Sequence, residues 1–263
     1  MLMAERRRRL LEQVRDRGYV SFRELALALE TSESTVRRDL RSMVADGLLT
    51  ATRGGVGPVN APAAPATPGP PAPAAAAADD QSDRVSRQRQ AIAASAAALV
   101  VPGSAVLLGP GRTTTALAHR LTSISHLTVV TNSITVTNAL VAAPQIDVVL
   151  IGGALRRSIG AVVGPSTEQA LRGLRGAQVF LSGEGVTVER GLTTPNVFAA
   201  ATDQAMMTAG RQVVVLADHS KLGRDTMCQT VPADRIDVLV TDSDADPEFV
   251  TRLRAEGIDV RVA

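Results

Sequence analysis

The sequence predicts an α/β protein in two unequal parts: a small winged helix-turn-helix domain, then a larger Rossmann-like domain built on a mostly parallel sheet. Three observations carry this. Residues 5–47 hold three helical patterns and are followed by a short extended run ending at Gly54-Gly55. Residues 84–263 alternate strand-length apolar runs with helical segments, the pattern of a sheet covered on both faces. Between them, residues 58–83 are almost wholly Pro, Ala and Gly until Asp79-Asp80-Gln81-Ser82-Asp83. That composition cannot bury enough apolar surface to fold and favours extended chain. The expected organisation is a winged helix-turn-helix domain over 1–57, a disordered Pro/Ala-rich linker over 58–83 and an α/β domain over 84–263.

In the first part, Glu5 to Arg17 places Leu10, Leu11 and Val14 on one side of a helix closed by Gly18. Ser21-Phe22-Arg23-Glu24 fits a capping box that opens a second helix through Glu30, with Leu25 and Leu29 inward. A turn then leads into Thr31-Ser32-Glu33-Ser34-Thr35-Val36-Arg37-Arg38-Asp39-Leu40, the start of a third helix that ends near Gly47. Val36, Leu40, Met43 and Val44 form its apolar stripe. Ser34, Arg38 and Arg41 fall opposite, with Arg37 at the edge. Hydroxyls and guanidiniums suit phosphate oxygens and base edges. The DNA-binding candidates are Ser32, Ser34, Thr35, Arg37, Arg38 and Arg41, with Arg53 in the wing.

Charge supports that placement modestly. Residues 1–57 carry 11 arginines against 8 acidic side chains, whereas the remainder of the chain is close to neutral. Cys228 is the sole cysteine, which excludes an intramolecular disulfide and a multi-cysteine zinc site. The most apolar stretch, 91–108, is Ala-rich and broken by Pro102-Gly103, a poor membrane span. Arg6 to Arg9 are followed by no apolar signal-peptide core. A cytoplasmic protein without a membrane partner is expected.

In the second part, helix Val85–Val100 leads to strands at Ala105–Leu108, Leu127–Thr131, Asp147–Ile151, Gln178–Ser182, Val213–Ala217, Val238–Thr241 and Ile258–Val262. Ligands of such sheets bind at the carboxyl ends of strands, and the polar signals cluster there. Gly111, Arg112, Thr113 and Thr114 lie between a strand and a helix start, where amides, hydroxyls and the helix dipole suit a phosphate. The alternative is a tight turn with a threonine cap. The missing third glycine and the missing acid about 20 residues on argue against a dinucleotide fingerprint. Thr131, Asn132 and Ser133 repeat the strand-to-helix pattern, as ligands or as a cap. Gly152 and Gly153 permit close backbone approach or form a turn, and Glu184 sits between two glycines. Lys221, in Ala217-Asp218-His219-Ser220-Lys221-Leu222-Gly223, is the only lysine in the chain. A compact point charge in a tight phosphate pocket is one reason to keep a lysine where arginine is otherwise universal.

Residues 20–56 resemble the DNA-binding domain of the DeoR family of bacterial transcriptional regulators. The run Ser34-Thr35-Val36-Arg37-Arg38-Asp39-Leu40 carries the resemblance, with Gly47 and Gly54-Gly55 behind it. It implies that Arg37 and Arg38 contact DNA and that Asp39 orients an arginine. In the wing, Ala51 stands where the family usually has arginine, and Arg53 is the available substitute. The signals from 84 to 263 resemble the family's sensor domain, which implies a ribose-5-phosphate-isomerase-like fold and a phosphorylated sugar as effector. Two positions depart from the pattern. Gly109-Pro110-Gly111-Arg112-Thr113 replaces Asp-x-Gly-Thr-Thr, and Ala199-Ala200-Ala201 stands where the family has an acid after Thr193-Thr194-Pro195-Asn196.

The expected function is a transcriptional regulator, a repressor of carbohydrate-metabolism genes that leaves its operator when a phosphorylated sugar binds. A homodimer or higher homo-oligomer on double-stranded operator DNA follows from half-site reading. No cofactor, catalytic residue or metal site is expected. The alternative is a sugar-phosphate isomerase with a DNA-binding appendage, using Glu184 or Asp218 as general base. The three histidines, His119, His126 and His219, form no catalytic constellation in the sequence.

Overall fold

The computed structural model describes residues 3–17, 20–29, 31, 33–45, 48–52, 55–57 and 73–263. They fall into two compact units, divided after Pro71. Ser32, Arg53 and 58–72 of the linker lie outside the described residues.

The first unit contains α1 (Met3–Arg17), β1 (Val20–Ser21), α2 (Phe22–Ala28), α3 (Glu33–Ala45), β2 (Thr50–Thr52) and β3 (Gly55–Gly57). The capping box forms as the spacing predicts: the Glu24 amide donates to Ser21 Oγ at 3.3 Å, and the Ser21 amide donates to Glu24 Oε2 at 2.9 Å. Leu10, Val14, Leu25, Leu29, Val36, Leu40 and Met43 close one core with Val20, Leu49 and Val56. Each large apolar side chain so buried is worth roughly 1.5–3 kcal/mol. The wing is a three-stranded sheet in the order β1-β3-β2. Strand β1 pairs with β3 through Val20 and Val56, a strand added to the expected hairpin.

The second unit opens with α4 (Pro73–Ala97). Its first three turns take in 73–83 of the stretch expected as linker. Proline is tolerated at a first helical position and Ala74–Ala78 have the highest helix propensity, a combination easily mistaken for low complexity. There follow β4 (Ala105–Leu108), α5 (Arg112–Leu121), β5 (Leu127–Thr131), α6 (Ile134–Leu140), β6 (Ile146–Leu150), β7 (Ala154–Arg156), β8 (Ala161–Val163) and α7 (Pro165–Arg172). The chain continues through β9 (Gly176–Leu181), β10 (Gly185–Thr187), β11 (Gly191–Thr194), α8 (Val197–Ala209) and β12 (Gly210–Leu216). After a 3-10 turn at His219–Lys221 come β13 (Cys228–Val231), β14 (Val238–Thr241), α9 (Pro247–Ala255) and β15 (Asp259–Val262).

Seven strands form one sheet in the order β15-β14-β12-β9-β4-β5-β6, and every neighbouring pair is parallel. Side chains alternate between two cores, which is why the strands read as continuous apolar runs. Val106, Leu108, Phe180, Val214 and Val240 pack with α4, α5 and α6 on one face. Leu107, Val179, Leu181, Val215 and Leu239 pack with α7, α8 and α9 on the other. Strand order reverses at β4: β5 and β6 lie to one side, and β9, β12, β14 and β15 to the other. Such a reversal opens a crevice at the carboxyl ends of the two strands. No helix among the described residues is long and apolar enough to cross a membrane.

Candidate effector site and DNA-reading helix

A cavity of about 520 Å³ occupies that crevice, within the ~300–1,000 Å³ range of small-molecule sites. The loop after β4 supplies Pro110 and Gly111, and the loop after β9 supplies Ser182, Gly183 and Glu184. Arg112 and Thr115 enter from α5, Thr135 from α6, and Ser158 and Ile159 from the β7–β8 turn. Thr194, Asn196, Ala199 and Asp203, from β11 and the first turns of α8 with its cap, complete the lining.

Helix α5 starts at Gly111 with no side-chain cap, so the amides of its first turn lack intrahelical acceptors. Gly111 has φ +152°, and a Cβ there would sit 3.2 Å from Thr114 Oγ1, a backbone form that favours glycine. Arg112 and Thr115 are three residues apart and share the cavity face. Thr113 and Thr114, expected to cradle the ligand, are turned inward and buried. The Thr114 hydroxyl donates to the Gly111 carbonyl at 3.0 Å.

The Thr131-Asn132-Ser133 group is likewise buried, and most of its polar atoms are engaged within the fold, Asn132 Oδ1 being without a partner among the described residues. Thr131 Oγ1 donates to the Leu108 carbonyl at 2.7 Å, and Asn132 Nδ2 donates to the Val162 carbonyl at 2.9 Å. Ser133 Oγ caps α6 by accepting from the Val136 amide at 3.3 Å. The hydroxyl that reaches the cavity from this junction is Thr135. Gly152 and Gly153 also lie off the cavity. The Gly152 carbonyl accepts the Thr167 hydroxyl at 2.9 Å, and a Cβ on Gly153 would collide with Thr167 Oγ1. Of the expected effector residues, Gly111, Arg112 and Glu184 therefore line the cavity together.

Lys221 stands just behind them, with Nζ 3.5 Å from Oγ of cavity-lining Ser182. Burial lowers its pKa; Asp218 and Glu184 oppose the shift, while Arg89 and Arg112 add to it. Arg89, on α4, is lowered by burial and by Arg112, against Asp218 and Glu184. These shared influences define one group of three cations and two carboxylates. Its cations outnumber its carboxylates by one, which suits an anion. Arg89 Nε is buried with no hydrogen-bond partner among the described residues.

Arg89 and Asp203 were not among the sequence candidates, yet each left a signal. Arg89 precedes Ile92, Ala93 and Ala96 by three, four and seven residues, so a cation stands on the inward stripe of α4. Asp203 interrupts the apolar face of α8 between Ala199 and Met206–Met207. It is the only acidic side chain of α8. Asp203 is 5% exposed, and burial raises its pKa to about 7.

His219, Asp242 and Asp244 come within metal-ligand reach of one another, but protein groups occupy their donors. His219 Nδ1 is 2.9 Å from Asp242 Oδ1, and Arg84 is 2.7 Å from Asp244 Oδ2. Gln88 also bonds Asp244. The cluster ties α4 to the turn that presents Lys221.

In the first unit, α3 carries Ser34, Thr35, Arg37, Arg38 and Arg41 on one continuous helix. Thr35 is half-buried, and Asp39 is buried beside the core residue Leu40.

The comparisons agree with both halves. The DeoR-like helix-turn-helix domain model matches residues 6–61, and the DeoR C terminal sensor domain model matches 84–243. The chain belongs to the DeoR family. It is 33% identical to the HTH-type transcriptional regulator YgbI of Escherichia coli K12 over 96% of this chain and 94% of that protein. It is 32% identical to the HTH-type transcriptional regulator GlpR of Haloferax volcanii over 99% and 98%. The glycerol-3-phosphate regulon repressor of Escherichia coli K12 is 27% identical over 92% of each chain. Among solved structures, ribose 5-phosphate isomerase A of Methanocaldococcus jannaschii matches 51% of this chain and 53% of that one, at 17% identity and a TM-score of 0.38. This DeoR-family protein is a DNA-binding transcriptional regulator with a sensor domain. Family membership decides against the isomerase alternative.

Proposed function

We propose that this DeoR-family regulator is a repressor of carbohydrate-metabolism genes, released from its operator by a phosphorylated sugar held in the β4/β9 crevice. The observation that carries the reading is the gathering of Arg89, Arg112 and Lys221 beside the uncapped start of α5. A phosphate meets positive charge and free amides there, while Thr115, Thr135, Glu184, Thr194 and Asn196 line the space a sugar would fill. Arg89 and Gln88 belong to α4, the element that follows the linker in sequence. Ligand contact with Arg89 biases that helix, and release requires that the effector bind the DNA-incompetent arrangement more tightly.

Operator contacts fall to Ser34, Thr35, Arg37, Arg38 and Arg41 of α3, with Ser32 before it and Arg53 in the wing. Two recognition helices on two half-sites require a homodimer or a larger symmetric assembly. The protein works in the cytoplasm, where its operator is. In the test, the full chain selects duplexes from a random-sequence pool. The complexes are then challenged with sugars, each offered with and without a phosphate. Release by a phosphorylated member but not by its parent sugar is expected. Release by both equally, or by none, overturns the phosphosugar reading.

A further inference from the structure

The cavity has a second charged pole that the phosphosugar reading leaves unused. Asp203 lines the same cavity from α8, four residues after Ala199. It is 5% exposed, and its Oδ1 is buried with no hydrogen-bond partner among the described residues. Burial alone accounts for the raised pKa of this group; no cation is among its causes. Nearly all buried side-chain oxygens are hydrogen-bonded in folded proteins, and each exception calls for a reason. A carboxylate held in this way costs stability unless something entering the cavity completes it.

We propose that Asp203 is the specificity-determining residue for the effector's amine, and that the effector class is phosphorylated sugars carrying an ammonium group. The inference rests on the phosphosugar reading above and extends it to the part of the lining that α8 supplies. The two poles are complementary to a dipolar ligand. Arg89, Arg112 and Lys221 take the phosphate, and the unpartnered carboxylate takes the cation. A hydroxyl can hydrogen-bond the protonated acid but gives its ionised form no counter-charge. An ammonium supplies both a hydrogen bond and a counter-charge, and hydrogen bonds between charged partners are about twice as strong as neutral ones.

The test measures dissociation constants by calorimetry on the full chain for two matched pairs: glucosamine 6-phosphate against glucose 6-phosphate, and galactosamine 6-phosphate against galactose 6-phosphate. Inorganic phosphate serves as the probe of the cationic pole. The wild type should favour the amino member of at least one pair by about tenfold to a hundredfold. Asp203→Asn, which keeps the shape and removes the charge, should bring both members of that pair to equal affinity while leaving phosphate binding unchanged. Asp203→Ser provides a second variant and should do the same. Binding of the phosphosugars without preference, or a preference that survives in both variants, overturns the role of Asp203 and leaves the phosphosugar reading standing. Failure of every phosphorylated probe, inorganic phosphate included, overturns both.

Discussion

The Thr115 hydroxyl lies 2.9 Å from that of Thr135, joining α5 to α6 at the cavity wall. Thr135 Oγ1 is in turn 3.0 Å from Ser133 Oγ. Because Thr115 Oγ1 donates to the Gly111 carbonyl at 2.7 Å, its lone pairs are left to accept from Thr135. Ser133 Oγ already accepts from the Val136 amide, so its own proton is available to Thr135. The donors therefore run in one direction, from the α6 cap to the loop before α5. A ligand displacing Thr135 would disturb the cap of one helix and the start of another.

That line predicts the behaviour of Thr135→Val, which keeps the side-chain shape and deletes the relay. The loss should be about 1 kcal/mol, typical of one hydrogen bond in a folded protein, and appear as a lower Tm. Effector affinity should fall as well, since Thr135 lines the cavity. An unchanged Tm would show that the relay is not formed in solution.

Lys221 and Arg89 make a paired prediction. Lys221→Met and Arg89→Gln should each weaken inorganic phosphate binding about tenfold or more, the scale of one charge-assisted hydrogen bond. The two effects should be less than additive, because Arg89 and Lys221 repel one another in the unliganded protein and losing either relieves the other. Wild-type phosphate affinity in Arg89→Gln would separate α4 from the site.

Asp203 gives a stability prediction whose sign is opposite to that of a paired carboxylate. The folded chain keeps its proton to about pH 7, against 3.8 for an ordinary solvated aspartate. Between those values the folded state binds the extra proton, so stability declines as pH rises from about 4 through 7. Asp203→Asn removes the dependence. It should match the wild type near pH 4 and exceed it at pH 8, by up to about 4 kcal/mol if the full difference in pKa is realised. Denaturant midpoints across that range measure it, and parallel pH profiles for the two proteins would contradict the burial of this carboxyl.

The sheet was legible because strands buried on both faces write uninterrupted apolar runs: Ala105–Leu108, Leu127–Thr131 and Val238–Thr241 form over the expected residues. The short strands around the site were not. β7, β8, β10 and β11 have three or four residues each, and all but β8 carry glycine or polar positions, too short for a period to register. Strand-end motifs located the crevice but not the side chains that face it. Thr114 and Thr131 satisfy their own junctions, whereas Thr115 and Thr135 lie a few residues further along and line the cavity. Arg89 escaped for another reason. It is far from Lys221 in the chain, and only the packing of α4 against the sheet brings them together.

The DNA-reading helix supplies the last prediction. The apolar stripe of α3 is buried as the sequence requires, with Val36, Leu40 and Met43 in the core, so the helix is held by one face. Arg38 is two positions from both Val36 and Leu40, and on a 3.6-residue turn that position falls on the opposite side of the helix axis. If it reads a base edge, Arg38→Ala should cost roughly 1–3 kcal/mol on the selected operator and relax sequence preference at one position of each half-site. Arg37, at the edge of that face, is assigned to phosphate. Arg37→Ala should weaken binding to all sequences alike and reduce the slope of log K against log salt by about one unit for each phosphate left unneutralised. Affinities for both variants on specific and scrambled duplexes, taken across a salt series, separate the two roles. Equal losses on both duplexes for Arg38→Ala would move it to the backbone and leave base reading to Arg41 and Ser34.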